Sequence, residues 1–258
     1  MSILAVEELS LLLGGKRVLD GVTARFAPGR VTALLGPNGA GKSSLLACLA
    51  ALQTPATGRA MLGDRSIGAV TAQERARRIG FLPQAADVHW NIDVATLVGL
   101  GRLPWRGRWG EAATDRAAVA QALAATGMAD FATRGVEHLS GGERARALLA
   151  RVLAGQPEWL LADEPLASLD PAHQLEVGAQ LRAVAAAGGG VVLVVHDLNL
   201  AARLADDVVL LREGRVVASG PADQTLNAAL VGETFGLSVE IGATATGQRY
   251  IVPVGRPV

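Results

Sequence analysis

The octapeptide Gly36-Pro37-Asn38-Gly39-Ala40-Gly41-Lys42-Ser43 constrains this chain more than any other feature, because of what flanks it. A short apolar run, residues 31–35, precedes it, and an apolar segment, residues 42–52, follows. In the pattern G-x-x-x-x-G-K-S the glycines let the backbone curl so that successive N–H groups point inward. The start of the following helix adds partial positive charge, and together they make a cradle for phosphate oxygens. Lys42 is expected to reach the β- and γ-phosphates of a nucleotide, and the Ser43 hydroxyl to hold Mg²⁺. Buried strand, loop and helix in that order also predict a parallel sheet with crossover helices.

The rest of the chain extends that α/β prediction. Residues 3–13 and 18–26 are apolar stretches separated by Gly14-Gly15, the pattern of a hairpin. Residues 159–162 and 191–195 form two more buried strands, each followed by a charged residue, and residues 208–211 and 216–218 flank a second hairpin turn at Glu213-Gly214. Between Gln84 and Ser140 strand signals vanish and Ala-rich helical sequence takes over, notably over residues 112–127. The expected organisation is an α/β nucleotide-binding core (1–84 and 151–231), an inserted helical lobe (85–150) and a weakly patterned tail (232–258) to which no element is assigned. The fold class is therefore α/β with a mixed sheet and an N-terminal antiparallel hairpin.

Two carboxylates complete the phosphate chemistry. An apolar strand ending in Asp163-Glu164 puts Asp163 at the strand's C-terminal edge, beside the phosphate loop, where it can orient Mg²⁺. A second acid next to a triphosphate is unfavourable unless it is used, so Glu164 is assigned to polarising the attacking water. His196 ends the run 191–195 at the same edge, within reach of a γ-phosphate or that water.

Composition removes competing functions. Lys plus Arg and Asp plus Glu are equal at 24 each, which lacks the basic footprint of a nucleic-acid binder. Cys48 is the single cysteine, so no intramolecular disulfide can form and a reducing compartment is expected. No stretch approaches the ~20 continuous apolar residues of a membrane span. The opening residues lack the basic-then-apolar order of a secretory signal. A cytoplasmic chain that reaches a membrane only through partners is the expectation.

Leu139-Ser140-Gly141-Gly142-Glu143 adds a second anion-binding surface, since a Ser-Gly-Gly helix start exposes backbone N–H groups and a hydroxyl at a positive helix end. Two phosphate surfaces in one chain are explained by a head-to-tail homodimer, each nucleotide lying between one copy's Lys42 loop and the other's Ser140 helix.

At this point the chain resembles the nucleotide-binding subunit of ABC transporters, over nearly its whole length. The motifs are the Gly36 loop, Gln84 in Phe81-Leu82-Pro83-Gln84, the signature at Leu139, Asp163-Glu164, Ala167-Ser168-Leu169-Asp170 and His196, in the family's order. The resemblance implies ATP and Mg²⁺ as cofactors and hydrolysis coupled to transport. It implies that Gln84 touches Mg²⁺ or water and reports nucleotide state to the lobe, and that Asp170 bridges the two subunits. Ser44, adjoining the loop, and Leu166 stand where Thr is usual, and Glu143 where Gln is common. Leu13 replaces the aromatic residue that usually stacks on adenine. The stretch Gly101-Arg102-Leu103-Pro104-Trp105, with His196-Asp197-Leu198-Asn199 and Ala201-Ala202-Arg203, is similar to ATPases of iron-siderophore, haem and vitamin B12 importers. That implies two transmembrane permease subunits as partners, a substrate-binding protein acting indirectly, no nucleic acid, and a place on the cytoplasmic face of the inner membrane. Trp90, Trp105 and Trp109 either anchor a permease or pack the lobe's own core. A non-transport cassette ATPase of DNA repair or the ribosome is the alternative. It would be expected to carry a coiled-coil insertion, a second cassette or a basic surface, which this sequence lacks. A P-loop kinase or GTPase has no use for the signature.

Overall fold

The computed structural model describes residues 1–84, 92–107, 112–167 and 169–256. Trp90, Trp109 and Ser168 lie outside the described residues. The chain opens with β1 (Leu4–Leu13) and β2 (Lys16–Phe26), antiparallel and joined at Gly14-Gly15, both with positive φ. Then come β3 (Val31–Leu35), α1 (Lys42–Leu49), β4 (Thr57–Leu62), β5 (Arg65–Ser66), α2 (Ala72–Arg78) and β6 (Ile79–Leu82). The helical region holds α3 (Val94–Gly99), α4 (Ala113–Ala125) and α5 (Gly141–Ala154). The chain returns to the sheet through β7 (Trp159–Asp163), α6 (Pro171–Ala186), β8 (Gly190–Val194), α7 (Leu198–Leu204), β9 (Asp207–Arg212) and β10 (Arg215–Pro221). It ends in α8 (Ala222–Thr225), α9 (Ala228–Phe235), β11 (Ser238–Ala243) and β12 (Arg249–Gly255).

The central sheet runs β10-β9-β3-β8-β7-β6. Every pairing from β9 to β6 is parallel, and β10 closes the edge antiparallel to β9. Its inner strands are buried on both faces, which is why they read as continuous apolar runs rather than alternating ones. Alternation decides which layer each residue enters. Ala33, Leu35, Leu160, Ala162, Val191, Leu193, Val208 and Leu210 join the core shared with α5, α6 and α7. Leu34, Leu161, Val192, Val194, Val209 and Leu211 face α1 and the second sheet. That second sheet, β2-β1-β4-β5, is antiparallel, and it clamps Leu45, Leu46 and Leu49 of α1 against the central sheet. Helix α1 stops three residues short of the expected Leu52, because Ala51 adopts a left-handed backbone (φ 53).

The expected elements do not include β6 at the edge of the central sheet or helices α2, α3, α6 and α7, and two further parts of the fold also lie outside them. Strands β4 and β5 extend the N-terminal hairpin, and the tail forms an antiparallel β11–β12 hairpin. The hairpin is docked by Asn199 of α7, whose carbonyl accepts the Ile251 N–H (2.7 Å) and whose amide donates to the Ile251 C=O (3.2 Å). One side chain thus imitates a neighbouring strand, and Ile251 is buried beneath it.

The Gly101–Trp105 stretch ties helices together. Gly101 lets the backbone press on α5, since a Cβ there would sit 1.9 Å from the Arg151 carbonyl oxygen. The Arg102 guanidinium donates to Asp115 (2.8 Å) and to the Ala154 carbonyl (3.0 Å). The Trp105 indole lies between the guanidinium groups of Arg77 and Arg102, each 4.9 Å from its ring centroid, and donates to the Gly155 carbonyl. Trp105 therefore packs internally along one side while remaining 38% exposed.

Candidate functional site

Four neighbouring strands, β6-β7-β8-β3, end at the same edge of the sheet. The registers Leu82↔Ala162, Asp163↔Val194 and Leu34↔Val194 keep those ends level. As a result Gln84, Asp163-Glu164, His196 and the Gly36 loop, scattered over 160 positions of sequence (36 to 196), open into one region.

The loop's shape depends on two glycines. At Gly36 (φ 153) a Cβ would lie 2.1 Å from the Leu211 carbonyl oxygen, and at Gly41 (φ 99) it would lie 2.6 Å from Leu19 Cδ2. At these two positions the loop is wedged against β9 and β2 with no room for a side chain. Lys42 is only 5% exposed, and its ammonium donates to the Gly36 (2.8 Å) and Pro37 (3.0 Å) carbonyls. Burial lowers its pKa, and the nearby charges of Glu164 and Asp163 partly oppose that. A cation held by neutral carbonyls and short of solvent has much to gain from a phosphate. A cleft lined by Val18, the segment Asn38 to Ser44, Glu164 and His196 opens directly above it. Val18 had not been singled out from sequence; it follows the first hairpin turn and carries no chemical signal.

The Ser43 hydroxyl donates to Asp163 Oδ1 at 3.0 Å. Burial pushes the Asp163 carboxyl above its ordinary range, with the Ser43 hydrogen bond opposing and Glu164 adding to the rise. Among the described residues no cluster of three or more His, Cys, Asp or Glu forms a metal cage. One hydroxyl and one carboxylate are nonetheless the hard oxygen donors that fit Mg²⁺, an ion that keeps waters and takes phosphate oxygens.

Glu164 sits next to this pair in a left-handed backbone conformation (φ 50), uncommon for a non-glycine residue. Its two carboxylate oxygens are gripped separately: Gln84 Nε2 donates to Oε2 at 2.9 Å and His196 Nε2 donates to Oε1 at 2.5 Å. A carboxylate held in one orientation on a strained backbone is arranged for use rather than for stability.

The signature lies apart from this cradle. Ser140 caps α5 in a reciprocal box: its hydroxyl accepts the Glu143 N–H (3.3 Å) and its own N–H donates to the Glu143 carboxylate (2.7 Å). That bond is the main cause holding Glu143 below its usual pKa. Ser140 and Gly141 are exposed, and none of Ser140, Gly141 or Gly142 lines the cleft above Lys42. Gly141 instead borders a separate cleft with Gln84, Arg144 and Glu164. Asp170 caps α6, and hydrogen bonds from the His173 backbone and ring lower its pKa. Leu13, at the end of β1, is 38% exposed, and among the described residues no Phe, Tyr or Trp lines the phosphate cleft. The structure therefore joins the Lys42 loop, Ser43, Asp163, Glu164, Gln84 and His196, and leaves Ser140–Gly142 and Asp170 on other surfaces of the same chain.

The sequence model of the ABC transporter family matches residues 19–167, more than half of the chain. The chain belongs to the ABC transporter family. Similar proteins include the hemin import ATP-binding protein HmuV of Streptomyces coelicolor, 46% identical over 250 residues, covering 96% of this chain and 89% of that one. The protein of the same name from Bordetella pertussis is 39% identical, covering 94% and 95%. Among solved structures, a metal-chelate type ABC transporter in an inward-facing conformation superposes with a TM-score of 0.86 at 25% identity, over 98% of both chains. This ABC subunit is an ATP-binding, ATP-hydrolysing chain with the architecture of its family, and among its described residues no helix is long and apolar enough to cross a membrane.

Proposed function

We propose that the chain is the ATP-binding subunit of a hemin importer, hydrolysing ATP between two copies of itself arranged head to tail. Its similarity to hemin import ATP-binding proteins supports the cargo. The observation that carries the chemistry is Glu164, held by Gln84 and His196 at the rim of the Lys42 cleft. In this reading Gly36, Pro37, Asn38, Gly39, Ala40, Gly41 and Ser44 surround the phosphates, and Lys42 exchanges its two carbonyl partners for phosphate oxygens. Ser43 and Asp163, with Gln84, would hold Mg²⁺, which when bound neutralises charge developing on the phosphates. Glu164 orients and draws a proton from the attacking water, while His196 fixes the Glu164 carboxylate and faces the γ-phosphate. Ser140, Gly141 and Gly142 of the partner copy close over the nucleotide, and Asp170 bridges the copies.

Closure, hydrolysis and reopening drive the cycle, and Gln84 passes the motion to the helical lobe at 85–150 and so to two permease subunits. The subunit then sits on the cytoplasmic face of the inner membrane, and a substrate-binding protein feeds the permeases from the other side. Reconstitution with the permease subunits and the binding protein tests this. ATP-dependent hemin accumulation is expected. Transport of another metal chelate in place of hemin would contradict the assigned cargo.

A further inference from the structure

Helix α6 begins at Asp170, whose Oδ1 accepts the His173 backbone N–H at 3.0 Å. Any residue but proline at position 173 would supply that N–H, so the cap needs nothing from the side chain. Yet the His173 ring Nδ1 also lies 2.7 Å from Asp170 Oδ2, fixing the second carboxylate oxygen. The other side of the ring meets α5. A Cβ at Gly142 would lie 3.5, 3.5 and 3.7 Å from His173 Cδ2, Cγ and Cε1. Three ring atoms at nearly equal distance mean that the flat face of the imidazole is turned toward Gly142. One turn further along both helices, Arg146 meets Glu176 at 3.4 Å. The first two turns of α5 and α6 are thus joined twice.

We propose that His173 is a positioning residue that couples the Ser140–Gly142 helix start to the Asp170 loop, so that both meet the partner copy as one surface. This rests on the shared-site dimer proposed above, in which those two segments face the opposite nucleotide. When α5 moves toward the partner's ATP, the imidazole carries Asp170 with it, and occupancy of one site alters the other. His173 touches no reacting atom. It works by making the signature and the Asp170 loop move together, a coupling between sites carried by packed side chains.

Two substitutions in the full chain separate the two contacts. His173→Phe keeps a flat ring over Gly142 and loses the bond to Asp170; His173→Asn keeps a donor for Asp170 and loses the ring. The readout is the ATP dependence of steady-state hydrolysis, alongside the unfolding temperature. Wild type is expected to be sigmoidal in ATP. Both variants should become hyperbolic, the apparent affinity gain from the first to the second ATP (about 5-fold, the low end of typical coupling factors) being lost, with a lower kcat. Affinity for ATP in chains that also carry Ser140→Ala should be unchanged. Glu176→Gln removes only the exposed ion pair and should weaken the sigmoidicity, which keeps the test open if a ring variant melts early. Wild-type sigmoidicity and kcat in the folded variants overturn the role of His173 alone. If the Glu164→Gln chain with ATP sediments only as a monomer, the shared-site reading fails and takes this proposal with it.

Discussion

Replacing Glu164 by Gln isolates the chemical step. The side chain accepts hydrogen bonds from Gln84 and His196, and both residues reach it from neighbouring strand ends. Gln keeps the size and one acceptor oxygen but has no charge with which to draw a proton from water. A positioned general base contributes about 10²–10⁴-fold, equivalent to about 3–5.5 kcal/mol of barrier. Binding should not suffer, because the Lys42 cradle is untouched. Glu164 also acts electrostatically on Lys42, so its neutral replacement removes a negative charge that opposes the triphosphate. Glu and Gln bear the same strain at φ 50, and stability should hold. Phosphate release at saturating ATP should therefore fall at least about 100-fold, while ATP affinity, followed by displacement of a fluorescent analogue, stays level or rises. A variant keeping more than about a tenth of the wild-type rate would refute the assignment of Glu164 as base.

Two further substitutions probe the cradle. Gly41→Ala forces a side chain into φ 99 and against Leu19 Cδ2 and the Val18 carbonyl, at 2.6 and 2.9 Å. Left-handed strain of ~1–2 kcal/mol and overpacking of ~1–3 kcal/mol should lower stability by about 2–5 kcal/mol in urea unfolding; a loss under about 1 kcal/mol would contradict the wedged loop. Asp163→Asn tests the buried carboxyl. Because burial raises its pKa above the ordinary 3.8, the folded chain holds this proton more tightly than the unfolded chain. Ionisation therefore works against folding as pH rises through the window above 3.8. The neutral amide should raise the melting temperature of the nucleotide-free chain at neutral pH and abolish Mg²⁺-dependent hydrolysis. An unchanged or lower melting temperature would contradict the desolvation account.

Much of the candidate site was legible because its parts are contiguous in sequence and sit at strand ends. Asp163-Glu164 follows an apolar run, and so does His196, and parallel registers bring such ends together whatever their separation. The Gly36 loop is legible for a further reason: Gly36 is dictated by the Leu211 carbonyl of β9, and Gly41 by Leu19 and the Val18 carbonyl of β2. What sequence did not yield depends on single side chains acting at a distance. The tail hairpin is docked through Asn199, 52 positions from Ile251, and through Arg249, which donates to the Asp223 and Leu226 carbonyls, and a short two-stranded ribbon has little pattern of its own. Strand β4, Thr57 to Leu62, has three exposed residues at its start and only Ala60 and Leu62 buried, too short an alternation to register. The face-on contact of His173 with Gly142 leaves no trace in either segment. Trp105 lies between two arginines on separate elements, so its sequence neighbours did not decide between packing and docking.

The central claim is that each ATP site is built from two chains, one giving Lys42 and the other Ser140. Mixing two inactive variants, Lys42→Ala and Ser140→Ala, tests it directly. Each homodimer carries a defect in both sites, but a mixed dimer has one site with an intact Lys42 loop facing an intact Ser140 helix. Hydrolysis should reappear in the equimolar mixture, up to roughly a quarter of the wild-type rate, the ceiling that random pairing in a two-fold dimer sets when half the dimers are mixed and each has one intact site; coupling between the sites lowers it below that ceiling. If the mixture stays as inactive as either variant while mixed dimers form, the shared site is wrong and Ser140 acts elsewhere.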